Sequence, residues 1–307
     1  MNQPEQPPKG APGRPLEPSR TGDTWVYSPE GERYWGRFGA AGLLAVDAER
    51  GVLLQHRVSW SHHGGTWGIP GGALHENEPA VIGALREAEE EADSPPDSLA
   101  PRLTSVLDLG FWSYTTVIAD VTKSFEPYIS DYESQALEWV PIDKIDKLPL
   151  HPGFADSWPA LRGLVPRHPL LVVDAANVVG ARPDGWWKDR PAAADRLREG
   201  LVSLRGAGLD ASALGLGATR WFADMAMIVE GDARALGEGS ASVQVVSAER
   251  DGDSEIVAEV ERQFAAGRSA DDIRVVTSDR ELAERVGALG ATVHGAGWLW
   301  EQLDANG

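Results

Sequence analysis

The sequence contains no cysteine. That excludes disulfide staples, thiolate zinc sites and cysteine nucleophiles. Basic residues are scarce too: 28 Lys and Arg stand against 47 Asp and Glu, a formal net charge of −19. A chain this acidic lacks the broad basic surface that draws in nucleic acid, although a local basic patch stays open. Long apolar runs are also missing. The longest, around Ala40–Val46 and Leu170–Val173, fall far short of the ~20 residues that cross a bilayer. The opening Met1–Pro8 has no apolar segment. No secretory leader and no membrane contact are therefore expected, and a cytoplasmic location is the default.

What remains is an ordinary globular composition, with 42% hydrophobic and 24% charged residues over 307 positions. That length suggests about two domains. Residues 1–22 hold Pro4, Pro7, Pro8, Pro12, Pro15 and Pro18 with almost no large apolar side chain. Such a segment cannot offset its ordering entropy and reads as a disordered tail. From Trp25 onward the pattern predicts strands at 38–46, 52–56, 103–109, 115–121 and 136–140, with helices at 79–92 and 153–164. The pattern breaks around Val165-Pro166-Arg167-His168-Pro169. Beyond it, strands at 170–173, 225–229, 243–246, 273–277 and 292–294 alternate with helices at 192–207, 233–237, 254–266 and 280–289. That alternation argues for a parallel sheet covered on both faces. Two domains are expected, 23–165 and 168–307.

The first candidate site begins at the glycine-rich run Gly64-Gly65-Thr66-Trp67-Gly68-Ile69-Pro70-Gly71-Gly72 and continues into Arg86-Glu87-Ala88-Glu89-Glu90-Glu91. On a helix Glu87, Glu90 and Glu91 stand at i, i+3 and i+4 and share a face. Val81, Ala84, Leu85, Ala88 and Ala92 form the opposite, apolar stripe. Like charges at this spacing oppose the helix by about 0.2–0.5 kcal/mol per pair. A hard divalent cation would convert that repulsion into ligation. A solvated acidic face is the alternative for three carboxylates taken alone.

The spacing Gly72, five residues, Glu78, seven residues, Arg86-Glu87 and then Glu90-Glu91 resembles the Nudix box, in its MutT-like form. The resemblance implies a hydrolase of nucleoside diphosphate derivatives that uses magnesium or manganese (Mg2+ or Mn2+). By matching positions it makes Glu87, Glu90 and Glu91 metal ligands, with Glu90 or Glu91 also orienting water. Arg86 would hold the carboxylates by ion pairing. Gly71 and Gly72 would let backbone approach the substrate, and Glu133 matches a further acid that some relatives use as ligand or base. One departure stands out: the closing glycine and apolar residue of the box are Asp93 and Ser94 here. Asp tolerates a left-handed helix end better than most residues, so an intact but strained turn is expected.

The second candidate site gathers acids that follow predicted strands: Asp174 and Asn177, Asp251 and Asp253, and Asp279. In an open parallel sheet these positions meet at the carboxyl edge. Each Asp also reads as a helix cap. Together, Asp174-x-x-Asn177, Asp253 and Thr277-Ser278-Asp279 resemble the NYN/PIN-like nucleases, in the YacP-like branch. The resemblance implies Asp174, Asp253 and Asp279 as metal ligands, Asn177 as a substrate contact and RNA as a possible partner. The segment 182–190 is basic and aromatic; it reads equally as an RNA-stacking surface and as a packed lead-in to the next helix.

The expected fold class is α/β: a Nudix α/β/α sandwich with a mixed sheet, then a PIN-like parallel α/β domain. The first functional reading is a metal-dependent Nudix hydrolase acting on a nucleotide-type small molecule. The alternatives are a metal-dependent RNase whose Nudix half recognises or trims a 5′ nucleotide, and a non-catalytic nucleotide sensor. Oligomeric state leaves no mark on the sequence.

Overall fold

The computed structural model describes residues 20–183, 185–236 and 243–306. The expected disordered tail falls outside the described residues except at 20–22, as do Asp184 and the Gly237 end of one expected helix. Contacts divide the chain into two compact units. Unit one takes residues through Leu99, with Val106–Val117 and Thr122–Pro149; unit two takes Ala100–Ser105, Ile118–Val121 and Leu150 onward.

Unit one opens with an antiparallel pair, β1 (Trp25–Tyr27) and β2 (Arg33–Trp35). Next come β3 (Ala40–Asp47) and β4 (Gly51–Arg57), also antiparallel. Their turn is fastened by Arg50, which holds Asp47 at 2.7 Å. Two short strands that the sequence pattern does not foretell, β5 (Trp67–Gly68) and β6 (Gly71–Ala73), pair with β4 and β3. In that register Gly72 lies opposite Ala41, and Gly71 opposite Gly42. Helix α1 (Ala80–Ala92) follows, then β7 (Leu99–Asp108), β8 (Ser113–Val121) and β9 (Ser134–Val140), the last paired with β4.

Helix α1 shows why the two-sided reading of its sequence needs correction. Gly83, Ala84, Ala88 and Ala92 are buried, and Glu91 is buried with them. Ile82 is 55% exposed, and Val81 and Leu85 are only partly covered. Small side chains let the helix approach β3 and β6 closely, and the close approach carries Glu91 down to the sheet. The helix ends as expected on Asp93, at φ 50° and ψ 36°. The Asp93 N–H donates to the Glu89 carbonyl and the Ser94 N–H to the Ala88 carbonyl, at 3.0 and 3.3 Å. These bonds secure the turn against a left-handed strain of roughly 1–2 kcal/mol.

Unit two contains α2 (Pro152–Leu164), β10 (Leu170–Asp174), α3 (Ala175–Gly180), α4 (Arg190–Ala207), β11 (Leu209–Asp210), α5 (Ala211–Leu214) and β12 (Arg220–Trp221). It continues through β13 (Asp224–Val229), β14 (Gln244–Ser247), α6 (Gly252–Ala265), β15 (Ile273–Val276), α7 (Arg280–Ala288), β16 (Thr292–His294) and α8 (Ala296–Ala305). Five strands run parallel in the order β14-β13-β10-β15-β16. Central β10 is buried at all five positions, as a strand covered on both faces must be. Val172 and Ile228 pack with Ile256, Val260 and Leu282 from the covering helices.

Several details differ from the sequence reading. The helix expected at 233–237 is a 3-10 turn over Gly231–Leu236, and α3, β11, α5, β12 and α8 were not foreseen. All of these but the ten-residue α8 carry too few residues to express a period. The residues 100–105 belong to unit two because Trp221 and Arg220 pair there with Leu103 and Thr104. Buried Arg102 reinforces the join, donating to the Val165 and Arg167 carbonyls at 2.7 Å and pairing with Asp120 at 3.1 Å.

Candidate active site

The glycine run turns from β5 into β6 directly above α1. Gly71 N–H donates to Glu91 Oε2 at 2.9 Å. A Cβ on Gly71 would lie 2.5 Å from the Ala41 carbonyl oxygen, so backbone blocks any side chain there. A Cβ on Gly72 would lie 2.5 Å from Glu87 Oε2. Gly71 thus makes room for the backbone of β3, and Gly72 for the Glu87 carboxylate.

Arg86 ties the helix to the loop. Its Nε and Nη2 donate to the two oxygens of Glu78, both at 2.9 Å. Nη1 donates to Glu87 at 2.7 Å, and Nη2 also reaches the Ala73 carbonyl at 3.0 Å. Glu78 in turn accepts from the His75 N–H at 2.9 Å. This is the planar fork that arginine offers and lysine does not. Burial opposes ionisation of Glu78, but the Arg86 fork and the His75 N–H outweigh it and hold its carboxyl below the usual range. Glu78 received no role from the sequence pattern, although it is the partner that fixes Arg86.

The three helix carboxylates occupy three environments. Burial, with the Glu90 charge nearby, pushes Glu87 up to about 6 against the pull of Arg86. Burial pushes Glu91 up to about 8, opposed by the Gly71 N–H and reinforced by Glu87. Glu90 points outward, with its side chain 61% exposed and 3.5 Å from Arg86. Among the described residues no group of three His, Asp or Glu is assembled to hold a metal ion. The donor chemistry still suits a hard cation, because Glu87 and Glu91 are covered carboxylates whose ionised forms need positive charge. Glu133 is 56% exposed and faces Arg57 at 3.6 Å.

An aromatic group borders this site, and its role was not read from the sequence. Trp25 packs edge-on against Trp35 and His62, and Tyr34 packs against Phe111 and Trp112, at centroid distances of 4.8–5.4 Å. Trp112 approaches Tyr114 at 6.2 Å. The Tyr114 hydroxyl packs on Gly42, which pairs with Gly71, and burial raises the phenol, with the Glu91 charge adding to it. His63 stands against His62, and Trp67 stacks on His56 at 4.7 Å. The available signal was density: Trp25, Trp35, Phe111 and Trp112 are clustered in a chain only 7% aromatic.

In unit two, Asp174 ends β10 and accepts from Asn177 N–H at 3.0 Å and from Thr277 Oγ1 at 2.9 Å. Asn177 accepts from the Ser278 N–H at 2.8 Å, so these segments meet. Burial raises Asp174, with the charges of Asp253 and Glu230 adding to it. Burial also raises Asp253, with Asp279 and Glu230 among the charges acting on it. Asp279 and Asp251 cap α7 and α6 through the Leu282 and Ser254 N–H groups. Glu230, directly after β13, joins the group and was missed; one residue beyond a strand carries no motif. Asp224 sits at the opposite end of β13 and pairs with Arg268 at 3.0 Å. Asp232 lies in the 3-10 turn.

Comparison with known proteins finds relatives for the first half of the chain. The family profile for the NUDIX domain matches residues 36–162. A Mycobacterium tuberculosis protein (strain CDC 1551 / Oshkosh) named "Putative 8-oxo-dGTP diphosphatase 3" is 45% identical over 163 residues, covering 50% of this chain and 75% of that protein. A Bifidobacterium longum protein (strain NCC 2705) named "Nucleoside triphosphate pyrophosphatase/Nudix hydrolase fusion protein" is 41% identical over 146 residues, covering 45% of this chain and 30% of that protein. The crystal structure of a Nudix hydrolase from M. smegmatis, RenU, is 46% identical, with a TM-score of 0.44, over 47% of this chain and 94% of that one.

The contacts of Gly72 give a direct test. Gly72→Ala meets the movable end of Glu87 rather than backbone, so its expected stability cost is below about 1 kcal/mol. Turnover should fall at least about tenfold, because displaced groups in a tight site are costly. Denaturation and steady-state kinetics on the same preparation check this. Full turnover in the folded variant would show that the placement of Glu87 does not matter.

Proposed function

The chain belongs to the Nudix family, and from that premise we propose that residues 23–165 hydrolyse the diphosphate bridge of a nucleoside triphosphate or a related derivative. It is a Nudix pyrophosphohydrolase, acting on phosphoanhydride bonds. The observation that carries the finer reading is the Arg86–Glu78–Glu87 lock beside the Gly71–Glu91 contact. Glu87 and Glu91 are the residues that would hold Mg2+ or Mn2+. Such an ion offsets charge on the bridging phosphates and lowers the pKa of an attacking water. Exposed Glu90, steadied by Arg86, orients the water towards phosphorus. Glu133 lies across from Arg57 and keeps that guanidinium in place for the phosphates. The Gly71–Gly72 backbone admits the phosphate chain, and the aromatic group around Trp25 and Trp112 offers faces for a base. The likeness to a protein named for 8-oxo-dGTP makes an oxidised purine deoxynucleotide the first candidate substrate.

A second reading concerns residues 168–307, which we propose form a NYN/PIN-like domain with metal-dependent RNase activity. Support comes from the charges of Glu230 and Asp253 acting on Asp174 at the carboxyl edge of a parallel sheet. Asn177 would contact the RNA, and Asp174, Asp253 and Asp279 would supply carboxylate oxygens.

Two measurements separate these readings. In the first, Glu90→Gln keeps shape and removes charge; turnover of a nucleotide panel with magnesium should fall at least about 100-fold. A loss under about tenfold would move the water-orienting role elsewhere. In the second, 5′-labelled RNA is incubated with the Asp174→Asn, Asp279→Asn double variant. Cleavage by the parent that disappears in the variant is expected; equal cleavage by both would reject those roles.

A further inference from the structure

The carboxyl edge of the parallel sheet carries a feature that neither hydrolytic reading uses. Between α3, α4 and the 3-10 turn at Gly231–Leu236 lies a cavity of about 390 Å³. That volume falls in the ~300–1,000 Å³ range of small-ligand sites. Small side chains of α3 and α4 line part of it. The rest includes Trp186 and three arginines, Arg190, Arg234 and Arg250, beside two acids, Glu230 and Asp232.

These groups differ in how they are held. The Arg190 guanidinium lies 5.4 Å from the Trp186 ring centroid. Arg234 donates to the Glu249 and Arg250 carbonyls, which anchor it. Arg190 and Arg250 are exposed, and among the described residues neither pairs with a carboxylate within 4.0 Å. Glu230 also lines the cavity, accepts from the Gly252 N–H, and acts on Asp174 and Asp253. The cavity therefore shares Glu230 with the acid group and otherwise lies beside it.

We propose that this cavity binds a nucleoside 5′-monophosphate unit, with the base on Trp186 and the phosphate between Arg190 and Arg250. A flat aromatic face suits any base, and guanidinium forks match phosphate oxygens. The acceptor oxygens of Glu230 and Asp232 are available to sugar hydroxyls or base amino groups. The overall charge of −19 opposes long-range capture, so binding is short-ranged and weakens steeply with salt. The unit can come from a free mononucleotide or from the end of a single-stranded RNA.

The test uses the full chain at low salt. Calorimetry with AMP and anisotropy with a short 3′-labelled RNA carrying a 5′-phosphate supply the probes. Arg190→Ala, Arg250→Ala together should weaken binding at least about tenfold. Trp186→Ala should weaken it at least about fivefold, and Trp186→Phe should stay within about twofold of the parent, because a phenyl face still stacks. AMP that displaces the RNA points to the terminal nucleotide or its free form; RNA binding that AMP leaves untouched points to an internal nucleotide of a strand. Either result supports the site when binding is lost in the double arginine variant and in Trp186→Ala. Binding that is unchanged in either of these two, or no binding of either probe, overturns it. Nucleotide hydrolysis at the Nudix site should be unaffected by these substitutions. Absent hydrolysis with intact, variant-sensitive binding would sink the Nudix reading and leave this inference standing.

Discussion

A single guanidinium organises unit one. Arg86 donates to both oxygens of Glu78, to Glu87 and to the Ala73 carbonyl. Through these bonds the loop before α1, the middle of α1 and the strand β6 are tied into one corner. The tie matters because α1 would otherwise carry clustered like charges against a sheet. Burial raises both Glu87 and Glu91, to about 6 and about 8. The fork from Arg86 opposes the rise at Glu87 and the Gly71 N–H opposes it at Glu91, so Glu87 stays largely ionised near neutrality while Glu91 needs further positive charge to ionise. Stability and function pull apart at this corner, as they do in many hydrolytic sites.

Much of this corner was legible in the sequence because its elements are local. The helix at 80–92 announces itself by spacing, and its left-handed end at Asp93 follows from the residue type. What could not be read was direction. Periodicity places Glu87, Glu90 and Glu91 on one face, yet Glu91 is buried while Glu90 is 61% exposed. The difference arises because Gly83, Ala84, Ala88 and Ala92 let the helix settle close to the sheet on the Glu91 side, a packing outcome that a helical wheel does not contain. The strands β5 and β6, two and three residues long, were invisible for a different reason. Nothing so short shows a period, and their pairing partners lie elsewhere in the chain.

Unit two reverses the balance. Its parallel sheet was readable from the alternation of strands with helices and from the apolar run of β10, which is buried at every position. Its candidate site was only half readable. Asp279 and Asp251 act as helix caps, the role that any strand-following Asp takes by default. Asp174 caps α3 in the same way through the Asn177 N–H, and in addition accepts from Thr277 on a distant segment. Glu230 joins only through the tertiary fold, and so does the arginine-lined cavity beside it. Side chains brought together from four elements leave no spacing to recognise.

The account depends most on the geometry of Arg86 rather than on its charge. Arg86→Lys keeps the charge and removes the planar fork. Steady-state kinetics on the nucleotide that the parent turns over fastest, with denaturation run in parallel, measures the consequence. The prediction is a folded protein whose kcat falls at least about tenfold while KM stays within about threefold, as expected when a positioning contact rather than a binding contact is lost. An unchanged kcat in the folded variant would contradict the claim that this fork sets the site.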